Sequence, residues 1–337
     1  MSDFENHIKL GHVCIRDINT SMWSRVSRHD HWKELRAWVQ GTEMEEGWLH
    51  FSEGVPSFFL KRNGEKEYLK TFTPLVVGGY NMLTSRHDGN PDKLSMYESE
   101  LSSSGKYRYW RNRVDNVAKA VSKADVLGAC EITHHMMHDI LERNPSMSAS
   151  EIVLKPENND GSVVFYNRAR LDFQGQTSQI LTHKRTQFAL ACLFRDLDTG
   201  ARFWFVVLHL KSDGMGYNGS EEPLRVKQAM AAVKFINSLE NLPCVIVGDL
   251  NSDQFLCDSW IASHTPHVKE VFRASGFESY IPMVTTYNHF ERRCFDYILG
   301  RCVSHIQSNV PSVKSVCPNS TQGSDHLPVY SEVFVWS

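Results

Sequence analysis

No apolar run in these 337 residues approaches the roughly 20 needed to cross a bilayer as a helix. The amino terminus, Met1-Ser2-Asp3-Phe4-Glu5-Asn6-His7, also lacks the charged-then-apolar pattern of a secretory signal. A surplus of positive charge is missing too. Lys and Arg number 36 against 39 Asp and Glu, for a net charge of -3. That excludes a broadly basic surface and disfavours tight duplex binding, while leaving room for a local basic rim. The eight cysteines, at 14, 130, 192, 244, 257, 294, 302 and 317, form no C-x-x-C pair. Cys130, Cys192 and Cys244 sit inside apolar runs, as small buried thiols do. A reducing, intracellular compartment is therefore expected, the cytoplasm first, with organelle import left open. Repeats, low-complexity tracts and long linkers are absent after residue 70. This predicts one domain, 71–337, behind an extension of unknown function, 1–70. Within the extension, His29-Asp30-His31 has no sustained metal-ligand spacing.

Hydrophobic content of 41% and charged content of 22% are those of a chain with a sizeable core. Val245-Ile246-Val247-Gly248-Asp249-Leu250-Asn251-Ser252-Asp253 reads as a buried strand that ends in polar residues. If the backbone stays extended, Asp249 and Asn251 share one face. Hard oxygen donors so placed suit Mg²⁺ or Mn²⁺. Gly248-Asp249-Leu250-Asn251 could also form an ordinary Asx turn.

Other strands end in similar groups. A strand within Phe72–Leu83 brings Asn81 to its terminus, and one over Asp125–Glu131 ends in a carboxylate. A hairpin pairs Gln187–Phe194 with Ala201–Leu208 and runs into His209. Phe295-Asp296-Tyr297-Ile298-Leu299 is a strand holding one acid, and Asp325-His326 precede a closing strand, Val329–Val335. Helices are expected over Trp110–Ala124, around His134, His135 and His138, and over Pro223–Leu239. His134 and His138 stand four apart, but the H-E-x-x-H pattern is absent and a polar helix face is the reading. Asn81, Glu131, His209, Asp249, Asn251, Asp296, Asp325 and His326 thus lie in or beside strands, where a layered sheet scaffold gathers functional side chains on one rim.

The ordered set Tyr80-Asn81, Glu131, His209-Leu210-Lys211-Ser212, Gly248-Asp249-Leu250-Asn251-Ser252, Phe295-Asp296-Tyr297-Ile298 and Ser324-Asp325-His326-Leu327-Pro328-Val329 resembles the endonuclease/exonuclease/phosphatase superfamily. The likeness covers roughly residues 72 to 335. Trp110 and Arg225-Val226-Lys227-Gln228 look most similar to the poly(A) deadenylase and nocturnin-like branch. The sequence departs from relatives at Ala129-Cys130-Glu131, where Leu-Gln-Glu is usual, and at Val207-Leu208, where Asn-Thr is frequent.

The resemblance implies a four-layered α/β sandwich, two mostly antiparallel sheets face to face with helices outside. It implies Mg²⁺-dependent cleavage of phosphate esters, with Mn²⁺ as a substitute. Glu131 would be the principal metal ligand, assisted by Asn81 and completed by Asp325. Asp249 and Asn251 would orient the attacking water or bind a second ion. His326 would contact the scissile phosphate, oriented by Asp296, and His209 would bind another phosphate oxygen. The chemistry is coherent without the family, since an anionic phosphodiester repels hydroxide and needs charge neutralisation. Single-stranded RNA, cut from 3′ to 5′, is the expected substrate, with Tyr107, Tyr109, Trp110, Lys184, Arg185, Lys211 and Arg225 as groove candidates. Alternatives are a small phosphate ester such as a nucleotide, inositol phosphate or lipid head group, a DNA-repair nuclease, and a catalytically dead binding module.

Overall fold

The computed structural model describes residues 73–85, 109–155, 159–182, 185–213, 220–253, 267–280, 284–287, 292–312 and 317–335. It also describes the strands His12–Cys14, Glu46–Ser52, Val55–Arg62 and Glu65–Thr71, an antiparallel sheet in sequence order. The histidine tract at 29–31 lies outside the described residues.

The first of two larger sheets is built around Leu75–Asn81 and Val126–Ile132, which run parallel. Parallel neighbours cannot be joined by a tight hairpin. Their connection carries a 3₁₀ turn, Trp110–Asn112, and helix α1, Val114–Val121. The closing strand Val329–Val335 adds on one side, and Gly161–Asn167 on the other, both antiparallel. The second sheet repeats the plan. Arg202–His209 and Cys244–Asp249 form its parallel pair, joined through helix α3, Glu222–Ser238. Asp296–Arg301 pairs antiparallel with Cys244–Asp249. The strand of the expected hairpin, Arg185–Asp196, lies on the other side. Helix α2, His134–Arg143, follows directly on Val126–Ile132, and α4 is Val268–Ala274.

Side-chain alternation assembles the layers. Val245 and Val247 point between the sheets, where they meet Val77, Val126, Phe205 and Val207. Ile246 points the other way, into a second cluster with Ala229 and Ile236 of α3 and Phe272 of α4. On the far side, Val117 and Val121 of α1 and Met136 and Ile140 of α2 cover Leu127, Ala129 and Phe165. Each such aliphatic or aromatic side chain contributes about 1.5–3 kcal/mol when fully buried. The result is the expected four-layered sandwich. Both sheet faces are covered, which is why these strands read as continuous apolar runs.

Register fixes where the polar ends meet. Asn81 pairs with Cys130, beside Glu131, and His209 pairs with Asp249, which pairs in turn with Asp296. Val329, just after His326, is opposite Gly79. The carboxyl ends of both parallel pairs therefore share one rim. No helix among the described residues is long and apolar enough to cross a membrane.

Candidate active site

Asp249 ends its strand, and Gly248 before it has φ 138°. A Cβ on Gly248 would lie 1.9 Å from the Leu208 carbonyl oxygen, so only glycine fits there. Beyond Asp249 the backbone does not stay extended. Asn251 adopts φ 49°, and its N–H donates to Asp249 Oδ1 (2.8 Å). This is the Asx turn rather than the expected strand continuation, because the short Asn side chain tolerates the left-handed region. The turn still sets Asn251 on the rim. Its amide NH₂ donates to the Leu210 carbonyl (3.1 Å), which leaves the side-chain oxygen for a ligand.

Glu131 is placed by a second irregularity. The ladder shifts register between Cys130 and Ile132, and Glu131 sits in the bulge with φ 56°. A bulge bends the strand and re-aims one side chain. The Asn81 amide joins the two carboxylates, donating from Nδ2 to Glu131 Oε1 (3.2 Å) and to Asp249 Oδ2 (3.0 Å). Both left-handed backbones, like that of Leu83 at φ 53°, are conformations that persist where surrounding contacts enforce them.

Two imidazoles face these carboxylates in different charge states. His326 Nδ1–H donates to Asp296 Oδ2 (2.8 Å). Burial alone would lower its pKa, but Asp296 and Asp249 raise it well above the usual 6.5, so His326 is a cation at neutral pH. His209 is the opposite case. Its Nδ1 stands 3.1 Å from the Lys155 ammonium, which is itself 3.1 Å from Asp160 Oδ2. An ammonium cannot accept a hydrogen bond, so Nδ1 must accept and the ring proton sits on Nε2. Burial and then the Lys155 charge hold the His209 pKa at about 4, and the ring is neutral. The Nε2 atoms of His209 and His326 lie 3.8 and 3.7 Å from Asp249 Oδ2, too far for hydrogen bonds. Both N–H groups are thus available to the oxygens of a ligand between them.

The carboxylates differ as well. Burial would raise Glu131, but neighbouring cations and the Asn81 amide outweigh it and hold the pKa at about 2. The His209 charge comes first among these and Lys155 next; once His209 is neutral, Lys155, the Asn81 amide and His326 still favour the ionised carboxylate. Asp249 is raised from 3.8, by burial first and by Asp296, against the pull of His326. The donor set fits a hard divalent ion. Glu131 is charged at neutral pH and partly exposed, joined to Asp249 by the Asn81 NH₂, with the side-chain oxygen of Asn251 beside Asp249. Asp296 Oδ1 is buried without a hydrogen-bond partner, a further oxygen with unused capacity. One ligand atom each from Asp249, Asp296 and His326 also fall within 4.8 Å of one another. His326, however, is protonated by its pairing with Asp296 and has no free lone pair, so the oxygen cage around Glu131 is the better metal site.

Seven of the eight residues expected on the rim enter this network of contacts. Asp325 is buried next to His326, with Oδ1 taking the Ser324 hydroxyl (3.3 Å). Lys155 was not foreseen, nor were Thr285 and Thr286. The Thr285 hydroxyl accepts the N–H groups of Phe295 (3.1 Å) and Asp296 (3.0 Å), and Thr286 Oγ1 stands 3.3 Å from His326 Nδ1. The sequence signals were slight: a lysine just after a two-residue strand, and a Thr-Thr pair in a short hairpin. Two groove candidates are overturned. Trp110 is 2% exposed, its Nε1–H bonded to Asp139 Oδ2 (2.7 Å). Arg225 is fully buried against Asp213, Glu222 and the Lys211 carbonyl. Both pack the scaffold and cannot stack on a base. Tyr109 and Lys211 are half-buried, whereas Tyr107, Lys184 and the Arg185 side chain lie outside the described residues. The α2 histidines make local pairs, His135 with Asp139 (3.2 Å) and His138 with Glu142 (3.5 Å).

Comparison with known proteins identifies the family and the fold. The model of the Endonuclease/Exonuclease/phosphatase family matches residues 80–326. No curated protein matches the sequence. Among solved structures, the mannosyl-6-phosphatase Bt3783 of Bacteroides thetaiotaomicron superposes with a TM-score of 0.58 at 20% identity, covering 77% of this chain and 99% of its own. ANGEL2, a 2′,3′-cyclic phosphatase in complex with adenosine-2′,3′-vanadate, gives 0.60 at 16% identity, with 77% and 95% covered. The human Nocturnin catalytic domain with bound sulfate gives 0.55 at 20%, with 78% and 94% covered. The chain belongs to the endonuclease/exonuclease/phosphatase family, and it is a phosphoesterase.

Proposed function

From that membership we propose that the chain is a Mg²⁺-dependent phosphodiester hydrolase acting on RNA, removing nucleotides from the 3′ end of a single strand. The observation that carries the reading is the pairing of opposite charge states at one rim: ionised Glu131 and raised Asp249 against neutral His209 and cationic His326. Glu131 would hold the divalent ion with Asp249 and Asn251; Asn81, expected as a further ligand, turns its NH₂ rather than its oxygen to the two carboxylates, and Asp325 would lend charge nearby. When bound, the ion neutralises phosphate charge and lowers the pKa of water.

The protein's own groups do the rest. Asp249, its pKa raised, accepts a proton from the attacking water, which Asn251 orients. His326, held by Asp296, donates from Nε2 to a phosphoryl oxygen on which charge develops. His209 donates from Nε2 to another, with its tautomer set by Lys155. Asn81 keeps Glu131 and Asp249 in register. Preference for a ribonucleotide is supported by the fold's likeness to a phosphatase that binds an adenosine-2′,3′ analogue. A small phosphate ester is the second reading. It is favoured by the likeness to a mannosyl-6-phosphatase and by the burial of Trp110 and Arg225, which removes two stacking or phosphate contacts from any long groove.

The test is a time course on 5′-labelled single-stranded RNA with an adenosine tail, in Mg²⁺ or EDTA. Matched DNA and the Glu131→Ala protein run alongside. A Mg²⁺-dependent ladder that shortens from the 3′ end and vanishes in the variant supports the RNA reading. Intact RNA beside turnover of a sugar phosphate or nucleotide would replace it with the second.

A further inference from the structure

One buried cation belongs to the catalytic architecture without belonging to the phosphate chemistry. Arg113 opens α1 and is fully buried. Its guanidinium points at three backbone carbonyls. Nη1 donates to Met82 O (2.9 Å) and Gly323 O (2.6 Å), and Nη2 donates to Leu83 O (2.7 Å). The Trp110 ring lies 5.5 Å from the guanidinium carbon and covers one side.

Those carbonyls lie on the two loops that carry catalytic side chains. Leu83 is held at φ 53°, a costly backbone for a leucine, and this turns its N–H onto Asn81 Oδ1 (3.2 Å). With Oδ1 so engaged, the other end of the amide faces Glu131 and Asp249. The next residue, Thr84, donates its N–H to Glu131 Oε2 (3.4 Å). Gly323 lies one residue before Ser324, whose hydroxyl takes the His326 N–H (3.2 Å). One planar fork therefore ties the Asn81 loop to the His326 loop, from opposite ends of the sequence.

We propose that Arg113 is a positioning residue, its guanidinium setting the orientation of the Asn81 amide and of Glu131 relative to His326. Arginine suits this because its donors are fixed in one plane, whereas a lysine ammonium is a single point on a flexible stem. The inference rests on the reading of the Asn81–Glu131 rim as a metal-assisted phosphoesterase site.

The test uses the full chain with Arg113→Lys and, independently, Gly323→Ala. A Cβ on Gly323 would lie 2.5 Å from Val117 Cγ2 and 3.1 Å from the Arg113 carbonyl oxygen, so it pushes Gly323 and its own carbonyl away from α1 and the guanidinium without altering the Arg113 side chain. Asn144→Ala is the comparator for a structural loss. Asn144 is buried, and its side chain donates to the helix carbonyls Ala118 O (3.0 Å) and Ile140 O (3.2 Å). Turnover is read on bis(p-nitrophenyl) phosphate with Mg²⁺, and binding of Mn²⁺ alone by water-proton relaxation. Misplacing catalytic groups by about 1 Å costs about 10²-fold. Arg113→Lys should therefore lose kcat on that scale with KM within about threefold, and bind Mn²⁺ more weakly while still melting cooperatively. Gly323→Ala should shift the same quantities less, and Asn144→Ala should lower Tm alone. Wild-type kcat and Mn²⁺ affinity in both Arg113→Lys and Gly323→Ala would overturn the proposal. If Arg113→Lys does not fold, Gly323→Ala decides. If the wild type leaves the diester intact, the diesterase reading has failed, and the Mn²⁺ titrations still decide the role of Arg113.

Discussion

At the scale of single residues, two histidines do different work because different neighbours face their Nδ1 atoms. Asp296 makes His326 a cation, and Lys155 makes His209 a neutral Nε2–H donor. Activity then requires Asp249 deprotonated and His326 protonated. The rate should rise with pH through the Asp249 pKa, above 3.8, and fall through the His326 pKa, well above 6.5. Asp296→Asn removes the strongest charge favouring the imidazolium, so the alkaline limb of a pH–kcat profile should move to lower pH. An unmoved limb would mean that another group sets it. Stability follows the same signs. His326 contributes stability that is fully present below its unfolded pKa near 6.5 and lost as pH rises through its folded value. His209, lowered to about 4, works in reverse, leaving the fold unpenalised above 6.5 and destabilising it as pH falls toward 4. Lys155→Met with Asp160→Asn should release His209. The second change avoids stranding a buried carboxylate, which would cost about 3–5 kcal/mol. The His209 ring signals in an NMR titration should then report a pKa above 4, and a ring still titrating at 4 would show that burial alone depresses it.

At the scale of elements, the two sheets pack tightly where Gly128 faces Val247 and Val207. A Cβ there would lie 2.5 and 2.6 Å from their Cγ2 atoms. Gly128→Ala should therefore destabilise by about 1–3 kcal/mol through overpacking, with Val247→Ala recovering part of the loss in the double mutant. Denaturant midpoints give the cycle, and additive effects would show that the sheets simply move apart. The elements around this contact were also the legible ones. Cys244–Asp249, Arg202–His209 and Val126–Ile132 are apolar over their length because both faces are covered, and each was foreseen within a few residues. Leu171–Thr182 and Val303–Asn309 were not foreseen. They are edge strands, largely polar, and nothing in Gln-Gly-Gln-Thr-Ser-Gln distinguishes a solvated strand from a loop. The catalytic side chains were legible because strand ends attract attention. Their aim was not, since it depends on a bulge at Glu131, a left-handed Asn251 and an arginine reaching across 210 positions to Gly323.

At the scale of the whole molecule, hydrogen-bond pairing separates the chain into parts. Among the described residues the four strands within 12–71 pair only among themselves, and the strands that end at the catalytic rim belong to the two larger sheets, apart from Thr286–Tyr287 of a two-stranded hairpin. The boundary expected at residue 70 falls one residue short of the end of Glu65–Thr71, so a truncation that tests it without splitting this strand starts at residue 72. Such a cut keeps Thr73, whose carbonyl accepts Arg170 Nη2 (2.8 Å) beside the buried Asp196. Among the described residues it removes no strand from either larger sheet and no group from the rim. A protein of residues 72–337 should therefore unfold in one cooperative transition and hydrolyse bis(p-nitrophenyl) phosphate with a kcat within about threefold of the full chain. An RNA substrate separates two roles for the removed part. If it binds the substrate, KM for RNA should rise on truncation while kcat on the small diester stays level. A truncated chain that aggregates or melts without cooperativity would show instead that the amino-terminal sheet completes the core, and the boundary proposed at residue 70 would fall with it.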